Sequence, residues 1–329
     1  MNRLHDECWV ITDHAAGNQR QALALAGALG MPVRHLVRVP RAPWSWFAPR
    51  LFPGYLRALG PEQRLRPDTP WPRIVVGCGR TSGLFTRMLG RLSHGRSFTV
   101  QLLDPRIDPG HWDLVVAPRH DGLSGENVIT PLGSLHSIDA AWLEDARDAS
   151  PAIADLPTPR IGVLLGGPRK TWPLDAAYVD KLASHLLARQ QRDGGSIMAL
   201  ASRRTPTAAI EALRVALQGV PGFVWNGRQD GHNPYPGVLA WADRLIVTPD
   251  SVNMLSEACA VGCPVHTLVD TALPARLRRF HEALGEAGLL HDIDDEGTMR
   301  QPPLRELPAI ARQVLARMRE HEHSGNQAR

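Results

Sequence analysis

The sequence predicts an α/β protein built from two doubly wound parallel-sheet domains that face each other across a central cleft. Short apolar runs of strand length alternate with amphipathic segments of helix length along the 329-residue chain. That βαβ signature belongs to a parallel sheet sheathed by helices. The alternation runs twice, broken once near the middle by a proline-bearing stretch, Ala149–Arg160 (ASPAIADLPTPR). The length also suits two domains of about 150 residues better than one. The division is therefore expected at 155/156, giving an N-terminal domain of residues 1–155 and a C-terminal domain of residues 156–329.

In the first half, Cys8–Thr12 (CWVIT) is expected as a buried strand, followed by a helix from Asn18 to Leu29. Ile74–Cys78 (IVVGC) and a helix over Ser82–Gly90 repeat the unit, and Phe98–Leu103 and Leu114–Ala117 are further strands. The second half restarts with Ile161–Leu165 (IGVLL) and a helix over Asp175–Arg192. Strands at Ser196–Leu200, Phe223–Trp225, Arg244–Thr248 and Val265–Leu268 follow, with helices at Thr207–Leu217 and Val252–Val261. A last helix over Pro303–Arg319 is expected to pack back on the N-terminal domain, and the polar tail after Glu320 to fray.

Composition narrows the function classes. Apolar residues make up 43%, enough for two cores, and the formal net charge is +4, short of the basic face of a nucleic-acid binder. Of the 37 Lys and Arg residues only Lys170 and Lys181 are lysines, the mark of a GC-rich coding bias. Single arginines are thereby weak signals, and a lysine at 170 is a stronger one. Cys8, Cys78, Cys259 and Cys263 sit in or beside apolar segments without zinc-type spacing, so buried free thiols and no metal are expected. Neither a signal-peptide pattern nor an apolar run of about 20 residues is present, which points to a cytoplasmic protein, at most peripheral on the inner face of a membrane.

Two motifs in the second half carry phosphate chemistry. The strand Ile161–Leu165 runs into Gly166-Gly167-Pro168-Arg169-Lys170 before the next helix. A glycine turn there brings backbone N–H groups close to an anion at the carboxyl end of a strand. It is neither a Walker A loop nor G-x-G-x-x-G, and a plain tight turn with solvated cations is the structural alternative. The second motif is Thr248-Pro-Asp-Ser-Val-Asn-Met-Leu-Ser-Glu-Ala258. Asp250 or Ser251 would cap the helix that follows, and Gly262 would end it. Glu257 in this small-and-apolar helix is placed to accept two ribose hydroxyls, unless it simply faces solvent.

The first half contributes general-base residue types. Asp13 and His14 share the loop after the first strand, with Gly17, Asn18 and Gln19 beyond; Asp13 as a helix cap and His14 as a bystander is the alternative. Arg80 follows the next strand. Ala117-Pro-Arg-His-Asp121 sets His120 and Asp121 side by side as a rival base-and-orienter pair. Three strands ending in polar loops on one sheet edge is the pattern of a site on a rigid scaffold.

Together these residues resemble the mitochondrial-fission ELM family, whose bacterial members look like GT-B glycosyltransferases. The resemblance covers Thr12–Gln19, Gly77–Arg80, Ala117–Asp121 with Asn127, Gly166–Lys170 and Asp250–Ala258. It implies a GT-B-like fold of two Rossmann-like domains, the N-terminal one on the acceptor side and the C-terminal one on the donor side. It places Gly166, Gly167, Arg169 and Lys170 by the diphosphate of a nucleotide-diphosphate sugar. Ser251, Asn253 and Ser256 lie near the phosphates or sugar, Glu257 by the ribose, and Phe223–Arg228 along the base. No cofactor is implied, because the nucleotide sugar is a substrate and the acceptor is unknown. A metal-independent glycosyltransferase is the leading expectation. A nucleotide-sugar epimerase and a non-catalytic scaffold are the alternatives, since fold alone does not settle activity.

Arg38–Arg57 (RVPRAPWSWFAPRLFPGYLR) stands apart. It carries Arg38, Arg41, Arg50 and Arg57, no acid, and Trp44, Trp46, Phe47, Phe52 and Tyr55 between prolines. Rings and cations together suit an anionic membrane interface and a lipid-linked or cell-envelope acceptor. A proline-rich loop packed over the N-terminal domain is the structural alternative.

Overall fold

The computed structural model describes residues 4–60, 70–169, 172–297 and 300–327. The chain forms two α/β units, one of Met1–His136 with Glu306–Arg329 and one of Ser137–Arg305. Each is built on a six-stranded parallel sheet, the class the sequence predicts.

The first unit opens with β1 (Leu4–Thr12), α1 (Ala16–Ala28), β2 (Val33–Val37), α2 (Trp44–Phe47), β3 (Trp71–Cys78) and α3 (Arg80–Leu92). β4 (Phe98–Leu102), β5 (Leu114–Val116) and β6 (Val128–Ile129) complete the sheet, in the order β2-β1-β3-β4-β5-β6. Alternate residues of β1 and β3 point to opposite faces. Cys8, Val10, Ile74 and Val76 share a core with Ala22 and Leu25 of α1, while Trp9, Ile11 and Val75 pack with Leu84, Phe85 and Met88 of α3. Both faces are therefore apolar, and the central strands become continuous hydrophobic runs. β2 (VRHLV) escapes that criterion because it is an edge strand whose first three residues are exposed.

The second unit comprises α4 (Ala140–Asp148), β7 (Arg160–Leu165), α5 (Ala176–Asp193), β8 (Ser196–Ala201), α6 (Thr207–Ala216) and β9 (Gly222–Trp225). It continues through α7 (Tyr235–Trp241), β10 (Arg244–Val247), α8 (Val252–Cys259), β11 (Val265–Thr267), α9 (Ala275–Glu286) and β12 (His291–Asp292). The sheet order is β12-β11-β10-β7-β8-β9. The chain thus winds outward from β7 in one direction and from β10 in the other, so the topological switch point lies between these two strands.

The expected division at 155/156 falls inside this second unit. α4 packs against α7: Arg147 Nε donates to the Ala240 carbonyl at 3.0 Å, and its guanidinium lies 6.0 Å from the Trp241 ring. α10 (Leu307–Gln327) returns to the first unit, burying Ile310, Ala311, Val314 and Met318 in the α1 core. Where a frayed tail is expected after Glu320, α10 continues to Gln327. Glu322 accepts from Arg73 Nε at 2.6 Å and Nη2 at 2.9 Å, and His321 meets the Gly95 carbonyl at 2.8 Å. These contacts reach far along the chain and leave no local trace.

All four cysteines are free and buried. Burial pushes the Cys8 and Cys263 thiols up to about 12, and those of Cys78 and Cys259 higher still. Among the described residues no helix is long and apolar enough to cross a membrane.

Candidate functional site

The two motifs expected from the sequence to bind phosphate meet at the switch point of the second unit. β7 ends at Leu165 and β10 at Val247, and the parallel register Val247↔Leu164 sets their following loops side by side. Asp250, fully buried, ties these loops together. Its Oδ2 accepts from the Gly167 amide at 3.0 Å, and its Oδ1 accepts from the Thr248 hydroxyl at 2.7 Å. Thr248 Oγ1 in turn accepts from the Gly166 amide at 2.7 Å. A Cβ on Gly166 would collide with the Asp250 carboxylate, and one on Gly167 with the backbone of Arg204. Both glycines are thus required by close approach.

Asp250 gathers cations as well. Arg204 Nη2 donates to Oδ2 at 2.8 Å, and Arg169 Nε and Nη2 donate to the Asp250 carbonyl at 3.2 and 2.8 Å. Burial first, then the charges of Arg204 and Arg276, hold the Arg169 guanidinium below its ordinary value. Crowded cations of this kind favour an anion beside them. Arg204 is a residue that sequence reasoning missed. Its signal was the polar loop Ser202-Arg-Arg-Thr205 after β8, whose Ser202 and Thr205 hydroxyls donate to the Gly166 carbonyl. In an arginine-rich sequence that signal was discounted. Lys170 lies outside the described residues.

Ser251 caps α8, accepting from the Met254 amide at 3.4 Å, whereas Asp250 is spent on the glycine loop. Asn253 stands half-buried in the first turn of α8. Ser256 donates to the Val252 carbonyl at 2.8 Å, so its hydroxyl serves the helix. Glu257 is buried and accepts from the Tyr235 hydroxyl through Oε2. Trp225 is half-buried, its indole donating to the Gly231 carbonyl at 3.3 Å. His281 of α9 closes the far side of this loop, its Nε2 2.9 Å from the Pro249 carbonyl, and burial lowers its pKa.

In the first unit the switch point falls between β1 and β3, again where the candidates lie. Asp13 organises its own loop: Oδ1 accepts from the Ala15 amide at 2.9 Å and from Asn18 Nδ2 at 3.1 Å, while Gln19 donates to the Asp13 carbonyl. Asn18 and Gln19 are thus occupied locally. Gly79, at φ 84°, leaves room for Asn18, whose Nδ2 a Cβ there would meet at 2.7 Å. Buried Gln101 supports this bend by donating to the Gly79 carbonyl at 3.1 Å. His14 and Arg80 are exposed.

His120 and Asp121 are adjacent, with Nε2 3.6 Å from Oδ1, but their side chains are only 1% and 2% exposed. Asp121 joins the loop after β5 to the loop after β4, its Oδ2 accepting from the Asp104 amide at 3.4 Å. Leu103, between β4 and that amide, sits at φ 68°, a left-handed conformation costly for leucine. Asn127 is structural, its Nδ2 donating to the carbonyls of Pro109 and Trp112.

A family model described as mitochondrial fission ELM1 matches residues 16–318. The mitochondrial fission protein ELM1 of Arabidopsis thaliana is 29% identical over 272 residues, which is 74% of this chain but 63% of that relative. The chain thus spans less than two thirds of the plant protein. An uncharacterized protein of Rickettsia prowazekii is 21% identical over 92% of this chain and 96% of its own length. Among solved structures, the UDP-GlcNAc 2-epimerase of Methanocaldococcus jannaschii matches with a TM-score of 0.58 at 12% identity, covering 94% of this chain and 99% of that one. S. aureus MnaA, in a co-structure with UDP, matches at 0.53 and 12% identity, covering 96% and 90%. At such identities the likeness speaks for fold, and the fold is GT-B-like.

Proposed function

The chain belongs to the mitochondrial fission ELM1 family, and on that premise we propose that it is a metal-independent glycosyltransferase acting on a nucleotide-diphosphate sugar. The observation that carries this reading is the Asp250-pinned glycine loop at the switch point of the second unit, ringed by Arg169 and Arg204. Guanidinium groups gathered at a strand end suit a diphosphate, and they would hold the negative charge that develops as the sugar leaves. Arg169, Arg204 and Lys170 are the proposed diphosphate ligands, with Gly166 and Gly167 lining the site as the residues small enough for close approach. Ser251 and Asn253 are proposed beside them at the start of α8, and Glu257, oriented by Tyr235, beside the ribose. Relatives of the fold hold UDP or UDP-GlcNAc, which supports a nucleotide sugar as the donor.

Transfer needs an acceptor hydroxyl to lose its proton as its oxygen bonds the anomeric carbon and the bond to the diphosphate breaks. We assign the base to His14, the accessible imidazole on the loop that Asp13 rigidifies. His120 and Asp121 are too deeply buried to reach an acceptor. The Arg38–Arg57 segment supports a lipid-linked acceptor at a membrane surface.

Calorimetry with UDP, GDP, ADP and CMP tests the donor reading. One diphosphate is expected to bind at micromolar Kd, with affinity falling at least tenfold in Arg204→Ala and Glu257→Ala. Absence of binding by all four would overturn the enzyme reading in favour of a scaffold. Product analysis with the matching donor then separates the chemistries: a freed nucleotide diphosphate marks transfer, whereas a sugar inverted at C2 marks epimerisation.

A further inference from the structure

In the first unit the segment around α2 presents its large apolar side chains outward. Trp46 is 71% exposed, and Phe47, Phe52 and Leu56 are exposed around it. Their neighbours Trp44, Leu51 and Tyr55 turn inward onto the core beneath α3, so the outward set is held on a packed base. Phe47 and Phe52 stack with ring centroids 4.2 Å apart. Solvated aromatics fixed in this way form the kind of apolar patch that marks a contact surface.

Beside the patch opens a pocket of about 480 Å³, lined by Arg50, Leu51, Phe52, Arg87, Asp108 and His111. A second pocket of about 410 Å³ adjoins it and shares Arg87 and His111. Arg87 is buried at the junction, donating through Nη1 to the Pro49 carbonyl at 2.7 Å, and its guanidinium lies 5.7 Å from the Trp112 ring. Burial and the neighbouring charges of Arg91 and Arg50 hold Arg87 below its ordinary pKa. Three guanidinium groups are crowded here, and the nearest acid lining the first pocket is Asp108. That carboxylate accepts from the Gly110 amide at 2.9 Å, so it is already engaged by its own turn.

We propose that this face docks on an anionic phospholipid bilayer, with Trp46, Phe47 and Phe52 at headgroup depth and a lipid phosphate in the Arg50–Arg87 pocket. The charge pattern chooses the occupant. Exposed rings alone fit many partners, whereas rings flanked by Arg41, Arg50 and Arg57 with no acid in the segment complement a negatively charged interface. The proposal rests on the membrane-side acceptor reading above and deepens it by naming the headgroup site.

Co-sedimentation of the full chain with vesicles tests it, using phosphatidylcholine alone and phosphatidylcholine with phosphatidylglycerol. Wild type is expected to pellet with the anionic vesicles and not with the neutral ones, and to be released by high salt. Arg50→Glu and Trp46→Ala/Phe47→Ala alter exposed side chains, and their thermal unfolding should match wild type. Each should weaken vesicle binding on the order of tenfold. If wild type ignores both vesicle types, the bilayer contact and its headgroup site fall together, while diphosphate binding is judged separately by calorimetry. Pelleting of wild type that Arg50→Glu leaves unchanged would overturn the pocket and spare the apolar contact. Glycerol phosphate that binds the chain in an Arg50-dependent way without any vesicle binding would assign the pocket to a soluble phosphate ester and overturn the lipid reading.

Discussion

Asp250 is a structural carboxylate at the centre of the proposed diphosphate loop, and its substitution tests both roles at once. Its two oxygens satisfy the Gly167 amide, the Thr248 hydroxyl and Arg204, all around a fully buried position. Asp250→Ala would leave buried donors unmatched, at a cost of about 1–3 kcal/mol each where burial is complete. The expected outcome is a clear loss in urea-unfolding stability together with lost diphosphate binding. Retention of wild-type affinity would separate the loop from the ligand. Gly166→Ala is expected to behave similarly, because its new methyl meets the Asp250 carboxylate. His14→Ala should do the opposite. Its ring is exposed and among the described residues makes no hydrogen bond to the loop, so diphosphate affinity should persist while turnover falls on the order of 10²–10⁴-fold, the range of general-base loss. A turnover within a factor of a few of wild type would remove His14 from the mechanism.

At the scale of elements, α10 completes a core that the first unit cannot close from its own strands. Ile310, Val314 and Met318 are buried against α1 and the sheet. Before the helix begins, the Glu306 carboxylate accepts from the Leu132 and Gly133 amides at 3.0–3.1 Å, which fixes where the chain re-enters the unit. Ile310→Ala removes a buried branched side chain, at a cost of about 2–5 kcal/mol. Urea unfolding should show that loss as a shifted midpoint. A change below about 0.5 kcal/mol would mean that the helix is dispensable to the core.

Across the whole molecule, buried histidines link stability to pH. His266 is fully buried in β11: Nδ1 lies 2.9 Å from the Asp292 carbonyl and therefore donates, and Nε2 accepts from Arg244. Burial is the main cause that lowers its pKa from 6.5 to about 4, assisted by the charges of Arg244 and Arg189. Between those values the unfolded chain binds the proton and the folded chain refuses it. Stability should therefore fall as pH drops from 6.5 to about 4, by at most about 3 kcal/mol from this group. His281 is lowered in the same direction, also chiefly by burial, and steepens the decline. In His266→Gln the slope of stability against pH in this window should lessen by the equivalent of one proton, although some slope remains. An unchanged slope would mean that His266 takes up its proton in the folded state.

The sequence by itself determined the class of fold and the positions of its central strands. Runs such as IVVGC and IGVLL are buried on both faces of a parallel sheet, and no other element buries five consecutive residues of that kind so readily. It also marked Gly166–Gly167 and the Asp250–Glu257 block, because glycines and a polar stretch at strand ends are local features. Local pattern did not show that Asp250 belongs to the glycines while Ser251 takes the cap. That choice depends on strands β7 and β10, 82 residues apart at the Gly166–Thr248 contact, lying next to each other. Nor could pattern pick Arg204 from so many arginines, since only its approach to a buried carboxylate distinguishes it. The edge strand β2, the ordered tail at Glu322 and the pocket at Arg87 were equally hidden. Each is decided by which surfaces meet in space, and packing partners far along the chain leave no periodicity in the sequence.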